Sequence, residues 1–143
     1  MWSNIYNQRV TILNKLKRAD ISGGTVDIWQ KFTVDNAVWY EDSARNSGGN
    51  GVYIGTYITV LIPFNDAYMD YREWRHLPAE ERAEKFTMSS GDYVVLGDVT
   101  EEIDASNIVS VMNDYGVQKC IVRHVKKPHK RFNATVQLKI EGV

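Results

Sequence analysis

Two runs of β-branched and aromatic residues, at 57–63 and 86–99, most constrain what this 143-residue chain can fold into. Such residues favour a pleated, half-buried surface, so both runs predict strands. The second run contains a Ser-Gly-Asp turn at 90–92, followed directly by Tyr-Val-Val-Leu at 93–96. We therefore expect two strands around this turn and a fold dominated by β-structure.

The rest of the chain extends this pattern. Apolar alternation predicts further strands at 9–13, 27–34, 37–41, 117–125 and 134–140. A helical insert is expected at about 65–85, with one short helix inside it, and a second short helix at about 104–114. The length suits one domain over residues 1–143. The predicted fold is a small antiparallel β-barrel or sandwich of about seven strands with two short helices.

A glycine-rich polar segment at 43–51 interrupts the strand pattern and is predicted to be a loop. One interpretation is a mobile hairpin tip, and another is a functional loop that becomes ordered only in an assembly. A phosphate-binding loop is disfavoured, because no Gly-Lys-Ser/Thr follows and the next segment is strand-like. The candidate residues are Ser43, Arg45, Asn46, Gly48, Gly49, Asn50 and Gly51.

Charge is separated along the second half of the chain, although the net charge is only −1. No acidic residue occurs between Asp114 and Glu141, whereas a basic loop is predicted between the last two strands. This loop contains Lys126, Lys127, His129, Lys130 and Arg131. It could be a solvated surface, face an acidic protein, or contact DNA phosphates. An acidic turn on the same chain would also suit head-to-tail packing in a ring.

No constellation in the sequence indicates catalysis. The three histidines lack the spacing of metal ligands, and no glycine-flanked serine forms a nucleophile elbow. Cys120 stands alone and is expected to be a small buried hydrophobe. The acidic residues at 92–104 are expected to be solvated turn residues. We expect a protein that is not an enzyme and needs no metal or cofactor.

The sequence shows no signal-peptide pattern and no apolar run of the roughly 20 residues that a membrane helix needs. We therefore expect synthesis in a cytoplasm and no membrane association.

The order of motifs resembles a family of small structural proteins from tailed phages and prophages of Gram-positive bacteria. The motifs are Arg-Val-Thr-Ile at 9–12, a glycine turn and Trp29, Ala-Val-Trp at 37–39, the polar loop, and the runs at 57–63 and 90–97. The family is that of head-completion proteins, also called stoppers or head–tail connectors. The insert at about 65–85 is longer than a minimal stopper barrel needs.

The resemblance implies a β-barrel that forms a ring of 12 or 6 copies in the virion neck. Its partners would be the portal or adaptor ring, the tail proteins and packaged DNA, which the ring would retain. The segment 43–51 would face the channel or a neighbouring ring, and the basic loop would face DNA or an acidic neighbour. Trp2 and Tyr6 would lie at the subunit interface, where such residues are favoured. Alternatives are a tail terminator, a minor capsid protein, or a barrel that binds single-stranded nucleic acid.

Overall fold

The computed structural model describes residues 8–48, 51–63, 66–126 and 137–142, and these residues form a mainly β fold. The six described strands are β1 (Gln8–Leu16), β2 (Ile28–Gly48), β3 (Gly51–Pro63), β4 (Tyr93–Leu96), β5 (Lys119–Lys126) and β6 (Gln137–Gly142). The same residues contain three α-helices, α1 (Tyr71–Trp74), α2 (Ala79–Arg82) and α3 (Ile108–Tyr115).

The strands form a curled antiparallel arrangement in the order β1-β2-β3-β6-β5-β4. β1 pairs with β2, and β2 with β3, as strands that are consecutive in the sequence often do. β4 lies on the other side of β1, with Val10 opposite Leu96 and Leu13 opposite Tyr93. β5 joins β4 to β6.

β2 and β5 each take part in two groups of pairings. The first part of β2 pairs with β1 as far as Ala37, and its second part pairs with β3 from Val38 onwards. Just before this change of partner, the register of the β1–β2 pairing shifts between Val34 and Ala37, and Asn36 has a positive φ of 62° there. β5 has a similar shift between Val122 and His124. Such irregularities bend a strand, so that its first part can pair with one neighbouring strand and its second part with another.

The main core lies on the inner side of the curled sheet. Alternate positions of the strands are buried there, as a period of two requires. They include Val10, Ile12, Val34, Trp39, Ile58, Val60, Ile62, Val94, Cys120 and Val122. The insert covers part of this core, where the Phe86 ring stacks on Phe32 with centroids 4.8 Å apart. Burial of these side chains is the main stabilising contribution.

A second, smaller core lies on the outer side of the sheet, under α3. Ile108 and Met112 of the helix pack against Leu13 of β1 and Val95 of β4. The spacing of four residues places both helical side chains on one face. The helix ends at Gly116, whose φ is 57°, a conformation that glycine adopts without steric cost. α3 therefore stands on the outer face over β1 and β4.

The mainly β, antiparallel prediction is confirmed, but several details of the predicted fold are wrong. The described residues contain six strands, and the separately predicted strands at 27–34 and 37–41 are parts of β2. The run 86–99 contributes only β4. Before β4, the side-chain amide of Asn14 replaces a neighbouring strand: it donates to the Thr87 carbonyl at 2.6 Å and accepts from the Thr87 N–H at 3.2 Å. The described part of the chain has three short α-helices, where two were predicted.

Candidate functional site

The segment predicted as a glycine-rich loop belongs to a β-hairpin, as one of the two interpretations has it, but most of its residues lie in the strands of that hairpin. Residues 43–48 belong to β2 and Gly51 begins β3, with Gly48 opposite Gly51. The loop prediction is therefore wrong for Ser43, Arg45, Asn46, Gly48 and Gly51, while Gly49 and Asn50 lie outside the described residues. Backbone pairing across the hairpin holds these residues in strands, although their polar, glycine-rich composition is typical of a loop. The missed signal is the Gly-Asn pair at 49–50, which is typical of two-residue hairpin connections.

This hairpin extends beyond the strands that flank it. β1 accompanies β2 only to Ala37, and β6 accompanies β3 only from Ile58 onwards. Within the described residues, 42–48 and 51–57 pair only with each other, and we call these two segments the arm. Six residue steps at about 3.3 Å each give the arm a length of about 20 Å. An edge of this kind offers main-chain donors and acceptors to another chain.

Only one residue of the predicted basic loop lies among the described residues. Lys126 is the last residue of β5, opposite Lys139 of β6. Lys127, His129, Lys130 and Arg131 lie outside the described residues, as do the predicted interface residues Trp2 and Tyr6. Their predicted roles stay predictions.

Two basic residues of β5 belong to the outer face of the sheet and were not among the predicted site residues. Cys120 and Val122 of β5 are fully buried in the inner core. Lys119 is paired with Val95 of the outer core, so it lies on the outer side of the sheet. Arg123 follows Val122 at the register shift of β5, and its exposure places it outside the inner core. Arg123 is exposed and Lys119 is half-buried. The signal that could have found Lys119 is the alternation of faces along β5.

An acidic segment, residues 98–104, lies on the other side of the same outer face. The Lys31 ammonium group of β2 donates to the carbonyls of Val99 at 3.2 Å and Glu101 at 2.8 Å. These bonds place the segment beside β2, whereas Lys119 and Arg123 are on β5. Glu101, Glu102 and Asp104 are exposed. The two charge groups are thus separated across β1 and β4, where α3 stands.

Asp92 departs from the prediction that the acidic residues are solvated, since it is only 1% exposed. One carboxylate oxygen accepts from the Lys15 N–H at 3.0 Å. The other accepts from the Ser89 N–H at 2.9 Å and the Asn14 amide at 3.1 Å. Burial raises the pKa of Asp92 to about 6, and the three hydrogen bonds offset only part of that effect. These contacts tie β1 to the turn before β4, which makes Asp92 a structural residue.

The helical insert is fastened to the end of β1 by a second polar cluster. The Tyr71 hydroxyl donates to Asp20 at 2.6 Å and accepts from the Lys17 N–H at 3.1 Å. Arg75 forms an ion pair with Asp20 at 3.1 Å. Burial, together with the hydrogen bond to Asp20, raises the pKa of Tyr71 to about 12. These bonds fix α1 against the start of the β1–β2 connection.

The remaining reactive groups have structural surroundings. Cys120 is buried, as predicted, and burial raises the pKa of its thiol to about 12, so the nucleophilic thiolate is scarce at neutral pH. Among residues 8–48, 51–63, 66–126 and 137–142, no group of three or more His, Cys, Asp or Glu side chains is placed to hold a metal ion. In the same part of the chain, no helix is long and apolar enough to cross a membrane.

The fold and its surface define a mainly β protein with a projecting two-stranded arm and separated charges on one outer face. The chain belongs to a family of unknown function, DUF6751, whose model matches residues 5–143. No curated protein matches the chain. No solved structure matches it either.

Proposed function

We propose that this protein is a head-completion, or stopper, protein of a tailed phage or prophage. In this proposal the curled sheet closes as a β-barrel, and 12 or 6 barrels assemble as a ring in the virion neck. The ring joins the portal or adaptor ring to the tail and retains the packaged DNA. The resemblance in motif order supports the class of protein, and the arm is the structural observation that supports a role in assembly.

The arm supports this role because of its backbone pairing. An isolated two-stranded hairpin is marginally stable in water. Within the described residues, the arm has no third strand beside 42–48 or 51–57. A neighbouring chain that pairs with one edge would supply the missing hydrogen bonds, as in strand addition. We therefore expect the arm to pair with another ring or another subunit.

The decisive experiment removes the arm and leaves the rest of the sheet intact. Glu41 and Ile58 are paired neighbours, so residues 42–57 can be replaced by Asn-Gly, a two-residue hairpin connection. The intact protein and the shortened protein would each be co-expressed with the structural genes encoded beside them. The resulting particles would be imaged by cryo-electron microscopy. We expect the intact protein as a ring between portal and tail. We expect the shortened protein to be missing from the particles, which should then be heads without tails and without retained DNA.

Thermal unfolding followed by circular dichroism is the control for folding. The shortened protein should unfold cooperatively near the temperature of the intact protein, because the removed residues lie beyond both flanking strands. A ring at the end of the tail would replace the stopper role with that of a tail terminator. A protein that joins no particle, yet binds single-stranded DNA in a salt-dependent way, would overturn the structural role altogether.

A further inference from the structure

We propose that copies of this chain contact one another head to tail, with Lys119 and Arg123 of one copy against the acidic segment of the next. This proposal rests on the ring assembly proposed above and names the two surfaces that would form the lateral contact. It commits to a second copy of this chain as the occupant of both surfaces.

The first observation is that charge is divided between two consecutive segments. No Lys or Arg occurs from 98 to 118, a stretch that contains five acidic residues. No Asp or Glu occurs from 115 to 140, a stretch that contains seven Lys and Arg residues. Each copy therefore carries both members of a complementary pair, which is what a self-assembling head-to-tail contact requires.

The second observation is the position of the two groups on the fold. The acidic segment is held beside β2 by Lys31, and the basic residues belong to β5. β2 and β5 are three strand steps apart in the order β2-β1-β4-β5, or about 14 Å at 4.8 Å per step. The two groups thus face different neighbours around the curled sheet.

The third observation is that, apart from Asp98, neither charge group forms an ion pair within the described part of the chain. The ion pairs found there join Arg9 to Asp35, Arg9 to Asp98, and Arg75 to Asp20. None of them involves Glu101, Glu102 or Asp104, nor Lys119 or Arg123. Glu101 accepts hydrogen bonds from Thr100 and Tyr115, and Asp104 from Ser106 and Asn107. These donors are uncharged, so the negative charge of both carboxylates is not balanced by a cation there.

Two simpler alternatives to a side-by-side ring are a face-to-face dimer and nucleic-acid binding. A face-to-face dimer would pair both charge groups at once and close after two copies, so the oligomeric state distinguishes it from a ring. A nucleic acid would use the basic residues but would be repelled by the acidic segment on the same face. Charge pairs of this kind set orientation and register more than they add affinity, so closure of the ring would supply the remaining stability.

The test reverses each charge group separately and then combines the two variants. The basic variant is Lys119→Glu with Arg123→Glu, and the acidic variant is Glu101→Lys with Glu102→Lys. The mass of each assembly would be measured by size-exclusion chromatography with light scattering at about 50 mM salt, where screening is weak. The control reverses the exposed acids Glu80 and Glu81 of α2 to Lys.

We expect the wild type and the α2 control to form the same ring. The assembled fraction of each reversed variant alone should be at least about tenfold lower than that of the wild type, because like charges then meet across the contact. Mixing the two reversed variants should restore a ring of alternating copies, which also shows that both variants are folded.

The outcomes separate this proposal from the proposed function. If the wild type forms a ring and the reversed variants do so equally well, or if mixing restores nothing, the charge contact is overturned while the ring stands. Assembly that stops at a dimer would overturn the head-to-tail arrangement. A wild type that stays monomeric, also beside its co-expressed neighbours, would overturn both the contact and the ring.

Discussion

The carboxylate of Asp92 connects segments that are far apart in the sequence. Its donors come from Asn14 and Lys15 at the end of β1 and from Ser89 in the turn before β4. Its backbone carbonyl also accepts from the Val122 N–H of β5 at 2.8 Å. Buried polar groups are costly unless their hydrogen bonds are satisfied, and here the partners converge on one residue.

The raised pKa of Asp92 predicts how stability depends on pH. The pKa is 3.8 for an exposed Asp and about 6 in the folded protein. As the pH rises from about 4 to about 6, the unfolded chain loses this proton before the folded protein does. The contribution of Asp92 is therefore fully present below pH 4 and is lost by about pH 6, a change of about 3 kcal/mol.

This prediction is checked by urea unfolding of the wild type and of Asp92→Asn between pH 4 and pH 7. The Asn side chain does not titrate in this range, and the cost of replacing one acceptor oxygen by an NH2 group is the same at every pH. The wild-type free energy of unfolding minus that of the variant should fall as the pH rises. A difference that stays flat across this range would show that the folded and unfolded states bind this proton equally.

Among the elements, α3 depends on the sheet beneath it. A helix of eight residues is not stable alone in water, so its packing on Leu13 and Val95 holds it in place. Met112 is 1% exposed in this contact, whereas Val109 of the same helix is 63% exposed. The two side chains thus form a matched pair for testing the outer core.

We expect Met112→Ala to lower the free energy of unfolding by about 2–4 kcal/mol, because it leaves a cavity between α3 and the sheet. Val109→Ala should change it by less than about 0.5 kcal/mol, as surface substitutions usually do. Urea unfolding at neutral pH measures both values. Equal effects of the two substitutions would mean that α3 is not packed on β1 and β4 as described.

The elements also show how far the sequence alone could predict this fold. The local pattern was sufficient for α3, whose buried residues are four positions apart, and for β1 and β5, whose β-branched residues favour strands. Local periodicity failed at Asn36. The alternating pattern is interrupted there, which predicted two strands, but a shift of register lets a single strand continue. Local periodicity also failed at Asp92, because a local pattern cannot show that Asn14, 78 positions away, supplies a partner. Most predicted site residues either lie outside the described residues or belong to the arm, whose strand character comes from cross-strand pairing.

At the scale of the whole molecule, backbone pairing predicts uneven protection of the amides. β1 has β2 on one side and β4 on the other, whereas the described strands of the arm have one partner each. We expect the amides of 42–57 to exchange with deuterium faster than those of 10–13 in the isolated protein. Hydrogen-exchange mass spectrometry on peptides covering both segments measures this difference.

The assembled particle supplies the matching comparison. If the arm adds to a neighbouring strand there, exchange over 42–57 should slow on assembly, while exchange over 10–13 stays the same. Equal exchange over 42–57 in the free and assembled protein would argue against strand addition by the arm.

The continuity of β2 has a mechanical consequence. One strand runs from Ile28 to Gly48, so the backbone of the arm is also the backbone beside β1. A force that pulls the arm along its length would load the bonds between β1 and β2 in shear, because those bonds lie across the strand direction. Bonds loaded in shear share the force and must yield together, whereas bonds pulled open from one end yield in turn. Tension applied at the tip of the arm would therefore be carried by the sheet as a whole.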